Sequence, residues 1–201
     1  METVFLIIIL IMSVVLHEVA HGQVADFLGD PTARYAGRLT LNPLKHLDWF
    51  GSVLLPALLV LMGGIVFGWA KPMPYNPYNL RAGVGGPAYV AAAGPAANLL
   101  IAACFSLLLR FVVGLPASAQ VLISMIIMVN LMLAIFNLIP IPPLDGSKIF
   151  FALIPPRYRH VEEWLLRHQL ILLVLVVILI TNTNFISRLV FFLFHLFTGH
   201  V

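Results

Sequence analysis

A chain of 201 residues that is 61% hydrophobic and 9% charged, with a mean hydropathy of +1.03, has too little polar surface to cover a water-soluble globule. Its formal charge of +3 is dispersed rather than gathered into a basic patch with interleaved aromatics, which argues against a nucleic-acid partner. Its single cysteine, Cys104, rules out an intrachain disulfide and a thiolate metal cluster.

The solvent such a chain is built for is lipid, whose hydrocarbon core of about 30 Å takes roughly 20 apolar residues as helix. Residues 4–27 predict the first span. It opens on Met1-Glu2-Thr3, without the positive n-region or cleavage site of a signal peptide, and is expected to stay on the mature protein. Near residues 34–42, Leu39 and Leu41 alternate with Arg38, Thr40 and Asn42, the period of a half-buried strand, which predicts a small β-hairpin or sheet. The apolar stretch 51–67 is short and interrupted by Pro56 and Gly63-Gly64, and predicts a re-entrant segment rather than a crossing. Residues 87–113, 120–138 and 164–180 predict three further spans. The last apolar stretch, 185–197, is short for a span; it can lie in the interface, pack on its own core or join a neighbouring subunit. The expected fold is an all-α polytopic membrane protein, with about four full spans, a re-entrant segment and a short C-terminal helix in one domain over residues 1–201.

Ionisable side chains at membrane depth are costly and therefore point to function. His17, Glu18 and His21 lie together in HEVAHG, inside the first apolar stretch. Residues four apart share a helix face, so both imidazoles can address one ion, while Glu18 lies about 100° around, beside a water on that ion. Zinc held by two histidines and a carboxylate keeps a fourth position open and lowers the pKa of bound water to about 7. Three residues can be weighed as the third ligand. Asp26 points off the histidine face, and His46, beside Asp48, is at most an accessory. Asp145 is preferred: it follows Pro140, Pro142 and Pro143, which forbid helix and hold the backbone extended, and Gly146 permits a turn that aims the carboxylate inward.

HEVAHG and NLIPIPPLDG resemble the HExxH helix and the NxxPxPxxDG segment of the site-2 protease family of intramembrane zinc metalloproteases. The resemblance implies one Zn2+ per chain, bound by His17, His21 and Asp145, with Glu18 as the catalytic base. GPAAN, ending in Asn98, looks like the family's GxxxN element, whose Asn is thought to hold substrate or the oxyanion; a small-residue packing face explains it equally well. Asn137 likewise matches a substrate-backbone contact. GWAKPMPYNPYNLR and GRLTLNPLKHLDWFG look like the compact prokaryotic branch, in which no PDZ or CBS module is expected. The implied substrate is a single-span membrane protein, and the strand edge carrying Leu39 and Leu41 is a place where an unwound segment of it can pair. A homo-oligomer or a regulatory partner is compatible with this reading. The rivals are a metal carrier, which leaves Glu18 without a task, and a catalytically silent scaffold.

If His21 and Asp145 reach one ion from the C-terminal ends of their spans, those spans run parallel, and one of the two stretches between them fails to cross. With 51–67 re-entrant, Arg34, Arg38, Lys45, Lys71, Arg81, Lys148, Arg157, Arg159 and Arg167 share one side against Arg110 and Arg188. The positive-inside rule then puts the chain in the cell membrane with its active site opening toward the cytoplasm.

Overall fold

The computed structural model describes residues 2–54, 57, 58, 61, 68 and 70–199. Its described α-helices include α1 (Glu2–Phe27), α2 (Thr32–Tyr35), α3 (Gly86–Phe111), α4 (Ala117–Asn137), α5 (Asp145–Leu153), α6 (Arg159–Arg167), α7 (Gln169–Thr183) and α8 (Phe185–Thr198). Among the described residues three apolar helices are long enough to cross a membrane: Thr3–Phe27, Gly83–Phe111 and Ala117–Asn137. Helix α3 carries a proline in its first turn, where the missing N–H costs nothing, and Gly114 at φ +82° reverses the chain before α4.

Helix α3 is the hub, packing against α1, α4, α5 and α8. Ala102 of α3, Ile123, Ile127 and Leu131 of α4, and Ile186 and Val190 of α8 form one buried cluster. The C-terminal stretch therefore packs on its own core, with the Arg110 guanidinium closing over Gly199 at its end. A second cluster, Ala25, Leu80 and Val90, ties the end of α1 to the start of α3 through the loop before it.

Four expectations are corrected. No strand occurs among the described residues, and 34–42 holds the end of α2 followed by bends. Gly37 turns the chain at φ +63°, and Arg38, expected on the polar face, is buried with its Nη2 donating to the Lys71 carbonyl at 2.8 Å. A partner so distant in sequence outweighs the local alternation. The stretch 164–180 is not one helix: α6 and α7 meet at His168 with a bend of 76°. Helix α6 mixes Arg159, Glu162, Glu163 and Arg167 with apolar residues and so suits an interface, and α7 alone rises only about 22 Å. The spans thus number three among the described residues, or four if the bent pair is one crossing. Residues 138–143 are tightly turned rather than extended, with Ile141 N–H on the Ile139 carbonyl and Leu144 N–H on that of Ile141, at 2.8 and 3.0 Å; Leu144 itself is extended. Finally, Gly146 forms no turn; it lies in the first turn of α5. The 51–67 stretch opens with a wide, π-type helical turn at Trp49–Leu54, and most of it lies outside the described residues.

Gly146 lets α5 begin directly against the chain that precedes it, because a Cβ there would overlap the carbonyls of Leu138 and Ile139. Backbone cannot yield as a side chain can, so Gly146→Ala is expected to cost about 1–3 kcal/mol or more. Gly85→Ala, whose Cβ meets only Tyr89 Cε2 at 3.6 Å, should be nearly neutral. Thermal unfolding of both variants in detergent checks the contrast.

Candidate metal centre and active site

His17 and His21 stand one turn apart on α1, both buried, with ring centroids 4.6 Å apart and planes perpendicular. Space for two imidazoles against α3 exists because the residue opposite them is Gly94: a Cβ there would lie 2.5 Å from the Nε2 of each. The next residue, Pro95, sits inside α3, where its missing N–H and its ring loosen the preceding turn. In that turn the Val90 carbonyl accepts from His21 Nδ1 at 2.6 Å. One helical turn further on, the side chain of Asn98, fully buried, meets His17 Nδ1 with its Oδ1 at 2.6 Å.

Both Nδ1 atoms therefore face acceptors and carry the ring proton, which leaves a lone pair on each Nε2. The two Nε2 atoms are 3.1 Å apart, and Asp145 Oδ2, at the start of α5, is 3.1 Å from each. Three electron-pair donors thus form a nearly equilateral triangle. A tetrahedral zinc site with bonds of about 2.0–2.1 Å has ligand edges of about 3.3 Å, so the donor set fits zinc in chemistry, count and spacing. Asp145 Oδ1 has Lys148 Nζ at 3.8 Å, and that ammonium lies 5.6 Å from the Tyr75 ring centre.

The Glu18 carboxylate lies within 4.8 Å of the two histidine nitrogens. Its Oε2 is engaged elsewhere, accepting the backbone N–H of Met73 at 2.9 Å. Met73 belongs to a strap, residues 70–80, fastened on both sides of this contact. On one side Lys71 accepts from Arg38 and donates its N–H to the His46 carbonyl at 2.9 Å. On the other the fully buried Asp30 carboxylate accepts from Thr32 Oγ1 at 2.6 Å, Asn76 N–H at 2.6 Å and Asn79 Nδ2 at 2.9 Å. Burial opposes ionisation of Asp30, but these hydrogen bonds, the Thr32 hydroxyl foremost, outweigh it and hold the carboxyl below its ordinary value of 3.8.

The structure thus brings His17, His21, Glu18 and Asp145 together, with Asn98 behind them. Asp26 pairs instead with Arg34. His46 is buried outside the cluster, donating from Nε2 to the Thr40 carbonyl at 2.8 Å. Asn137 is half-buried and donates to the Leu133 carbonyl of its own helix. Leu39 packs over Gly22, the residue after His21, and Leu41 is exposed. Three participants escaped the sequence reading, Met73, Ser13 and Asn130, and Gly94 entered it only as the first residue of GPAAN. Ser13 and Asn130 are buried polar residues in apolar spans, and that burden was itself a legible signal.

Comparison with known proteins identifies the family. The sequence profile of "Peptidase family M50" matches residues 114–176, which include Asp145. "Putative zinc metalloprotease YwhC" of Bacillus subtilis is 42% identical over 163 residues, 77% of this chain and 71% of that protein. "Putative zinc metalloprotease Rip2" of Mycolicibacterium smegmatis is 36% identical over 148 residues, and its namesake from Mycobacterium tuberculosis 29% over 150; each alignment spans 55% of the relative. No solved structure matches. The chain belongs to peptidase family M50: it is a metalloprotease built on membrane-crossing helices.

Because the folded Asp30 carboxyl titrates below its ordinary value, its contribution to stability is complete above about pH 4 and is lost as pH falls further. Asp30→Asn should lower the unfolding temperature at pH 6 to 7 by several degrees. The gap between wild type and variant should close on acidification below about pH 4, as thermal melts across that range would record.

Proposed function

We propose that this M50 protein is an intramembrane zinc metalloprotease that cuts a peptide bond in or near a substrate's transmembrane helix. The observation that carries the reading is the convergence of three lone-pair donors from His17, His21 and Asp145 beside a carboxylate that is held independently of them. In this reading the first three would hold one zinc ion, which when bound would supply the Lewis acidity that lowers the pKa of a water to about 7. Glu18 then acts as general base. With Oε2 fixed by Met73, its Oε1 is the atom that takes the water's proton and returns it to the leaving amine. A carrier or silent scaffold has no use for an acidic side chain aimed and yet left out of the donor triangle.

Asn98 serves in this scheme as a support for His17 rather than a substrate contact, since it is fully buried behind the ring. Asn137 is the candidate contact for the substrate backbone. Leu39 and exposed Leu41 offer apolar side chains to the substrate at the mouth of the site, without the strand pairing expected of them. His46 fastens the strap and holds no metal. The substrate is a single-span membrane protein, and the charge distribution favours a site opening toward the cytoplasm from the cell membrane, in one domain.

The direct test compares cleavage of single-span peptides in liposomes by zinc-loaded wild type and Glu18→Gln, with bound zinc measured in both. Cleavage by wild type only, at equal zinc, is expected; cleavage undiminished in Glu18→Gln would remove Glu18 from its role. Replacing Asp145 with Ala should abolish stoichiometric zinc. Gly94→Ala should do nearly the same while leaving helical content intact, because its Cβ occupies the imidazoles' space, not the helix backbone's. Zinc content by atomic spectroscopy beside far-UV circular dichroism checks it.

A further inference from the structure

Behind His17 lies a run of buried polar groups that crosses three helices in the apolar interior. Asn98 of α3 donates from Nδ2 to Oδ1 of Asn130 of α4 at 2.8 Å. Asn130 in turn donates from Nδ2 to Ser13 Oγ of α1 at 3.0 Å and to the backbone carbonyl of Ile126 at 2.8 Å. Asn98 and Asn130 are fully buried, and Ser13 stands one turn before His17 on α1. Polar groups placed this deep are retained only when each is satisfied, and here they are.

The polarity of the run is fixed from its far end. A carbonyl oxygen accepts and never donates, so the Asn130 atom facing Ile126 must be its NH2 group. Asn130 then presents its oxygen to Asn98. Asn98 must answer with its own NH2, which leaves its oxygen for His17 Nδ1. His17 is thereby compelled to keep its proton on Nδ1 and to offer Nε2 as a bare lone pair. The other tautomer would place a hydrogen on Nε2, where Asp145 Oδ2 at 3.1 Å could accept it and close the triangle against a cation.

We propose that Asn130 and Asn98 form a positioning relay that transmits the polarity of the Ile126 carbonyl to His17 and so selects its metal-binding tautomer. The inference rests on reading His17 as a zinc ligand. His21 needs no such relay, because a backbone carbonyl, Val90's, fixes it directly. The difference supplies an internal control. Outer partners of a ligating histidine are typically worth 10–100-fold in metal affinity.

The experiment uses the full chain in detergent, 15N-labelled at histidine, with zinc affinity measured by chelator competition. In zinc-free wild type, His17 should show a protonated Nδ1 and an unprotonated Nε2, its signals assigned by their loss in His17→Ala. Asn130→Leu frees the Asn98 amide to turn, and should mix the two tautomers at His17, leave His21 unchanged and weaken zinc about 10–100-fold. Adding Asn98→Asp to Asn130→Leu gives His17 Nδ1 an acceptor that cannot turn into a donor, and should restore both tautomer and affinity; a packing role for Asn130 predicts no such rescue. Should Asn130→Leu not fold, Asn98→Ala tests the next link by the same two readouts. Unchanged His17 signals and zinc affinity in these variants, with zinc lost in His17→Ala, would overturn the relay and leave the ligand reading standing. Wild-type zinc affinity in His17→Ala would overturn both.

Discussion

Three electron pairs held about 3.1 Å apart with no hydrogen between them repel one another, and an apolar helix bundle screens that repulsion poorly. A cation at their centre would relieve the repulsion, and much of the architecture serves to hold these three donors together. They come from places far apart in the chain: α1 supplies two imidazoles and the first residue of α5 the carboxylate. Neither helix could hold the triangle alone. Each imidazole is pinned from behind by α3, through the Val90 carbonyl and the Asn98 side chain, so α3 contributes no donor and yet orients two.

That role explains the composition of α3. Its buried residues include Gly86, Val90, Gly94, Asn98, Ala102 and Ser106, a row at every fourth position and mostly small. On α1 the buried Ser13, His17, His21 and Ala25 form a row of the same spacing. Rows of this kind are the ridges by which helices interlock, and in lipid close approach depends on small residues because no hydrophobic force drives the helices together. The row on α3 changes character as it passes the site. Gly94 makes room for two rings and Asn98 supplies an acceptor, while Ala102 and Ser106 revert to plain packing, with the Ser106 hydroxyl returned to the Ala102 carbonyl of its own helix. The small-residue explanation of GPAAN and the functional one therefore hold at the same time, at adjacent positions of one stripe.

What was legible in the sequence was whatever depends on near neighbours. The spacing of His17 and His21 puts two imidazoles on one face in any helix, and continuous apolar runs announce the three long spans. Asp145 was reached through proline and glycine chemistry, but the local reading was wrong in detail: the segment is turned and Gly146 is helical, because what matters is the closeness of α5 to the Leu138 carbonyl. The failures share a cause. Alternation at 38–42 could not reveal that Arg38 has a carbonyl waiting at Lys71. Summed hydropathy over 164–180 concealed that Trp164, Leu165 and Leu166 belong to a separate helix that also carries Arg159, Glu162, Glu163 and Arg167. Asn130 and Ser13 carry no charge to mark them, yet neutral amides and hydroxyls in a span have the same obligation to find partners. Nor could the sequence say which face of α3 meets α1, and the importance of Gly94 lies in nothing else.

The strap over Glu18 shows a different division of labour between backbone and side chain. In Pro72-Met73-Pro74 the two prolines have no N–H, so Met73 carries the sole backbone donor of the three, and that donor is spent on the Glu18 carboxylate. The contact does not depend on which side chain stands at position 73, provided it is not proline. The side chain meets a separate requirement: it is buried, and its sulfur packs at Gly22, one residue beyond His21, where Leu39 also arrives. One residue thus fixes the Glu18 carboxylate through its amide and fills the space beside the second histidine through its thioether. Because Lys71 is tied to His46 and Arg38, and Asn76 and Asn79 to Asp30, the amide is held from both sides by groups outside the triangle of His17, His21 and Asp145. The orientation of Glu18 is therefore set independently of the three donors. If Glu18 is the base of the proposed mechanism, it must be aimed at a water rather than at the metal, and an anchor outside the three donors meets that need.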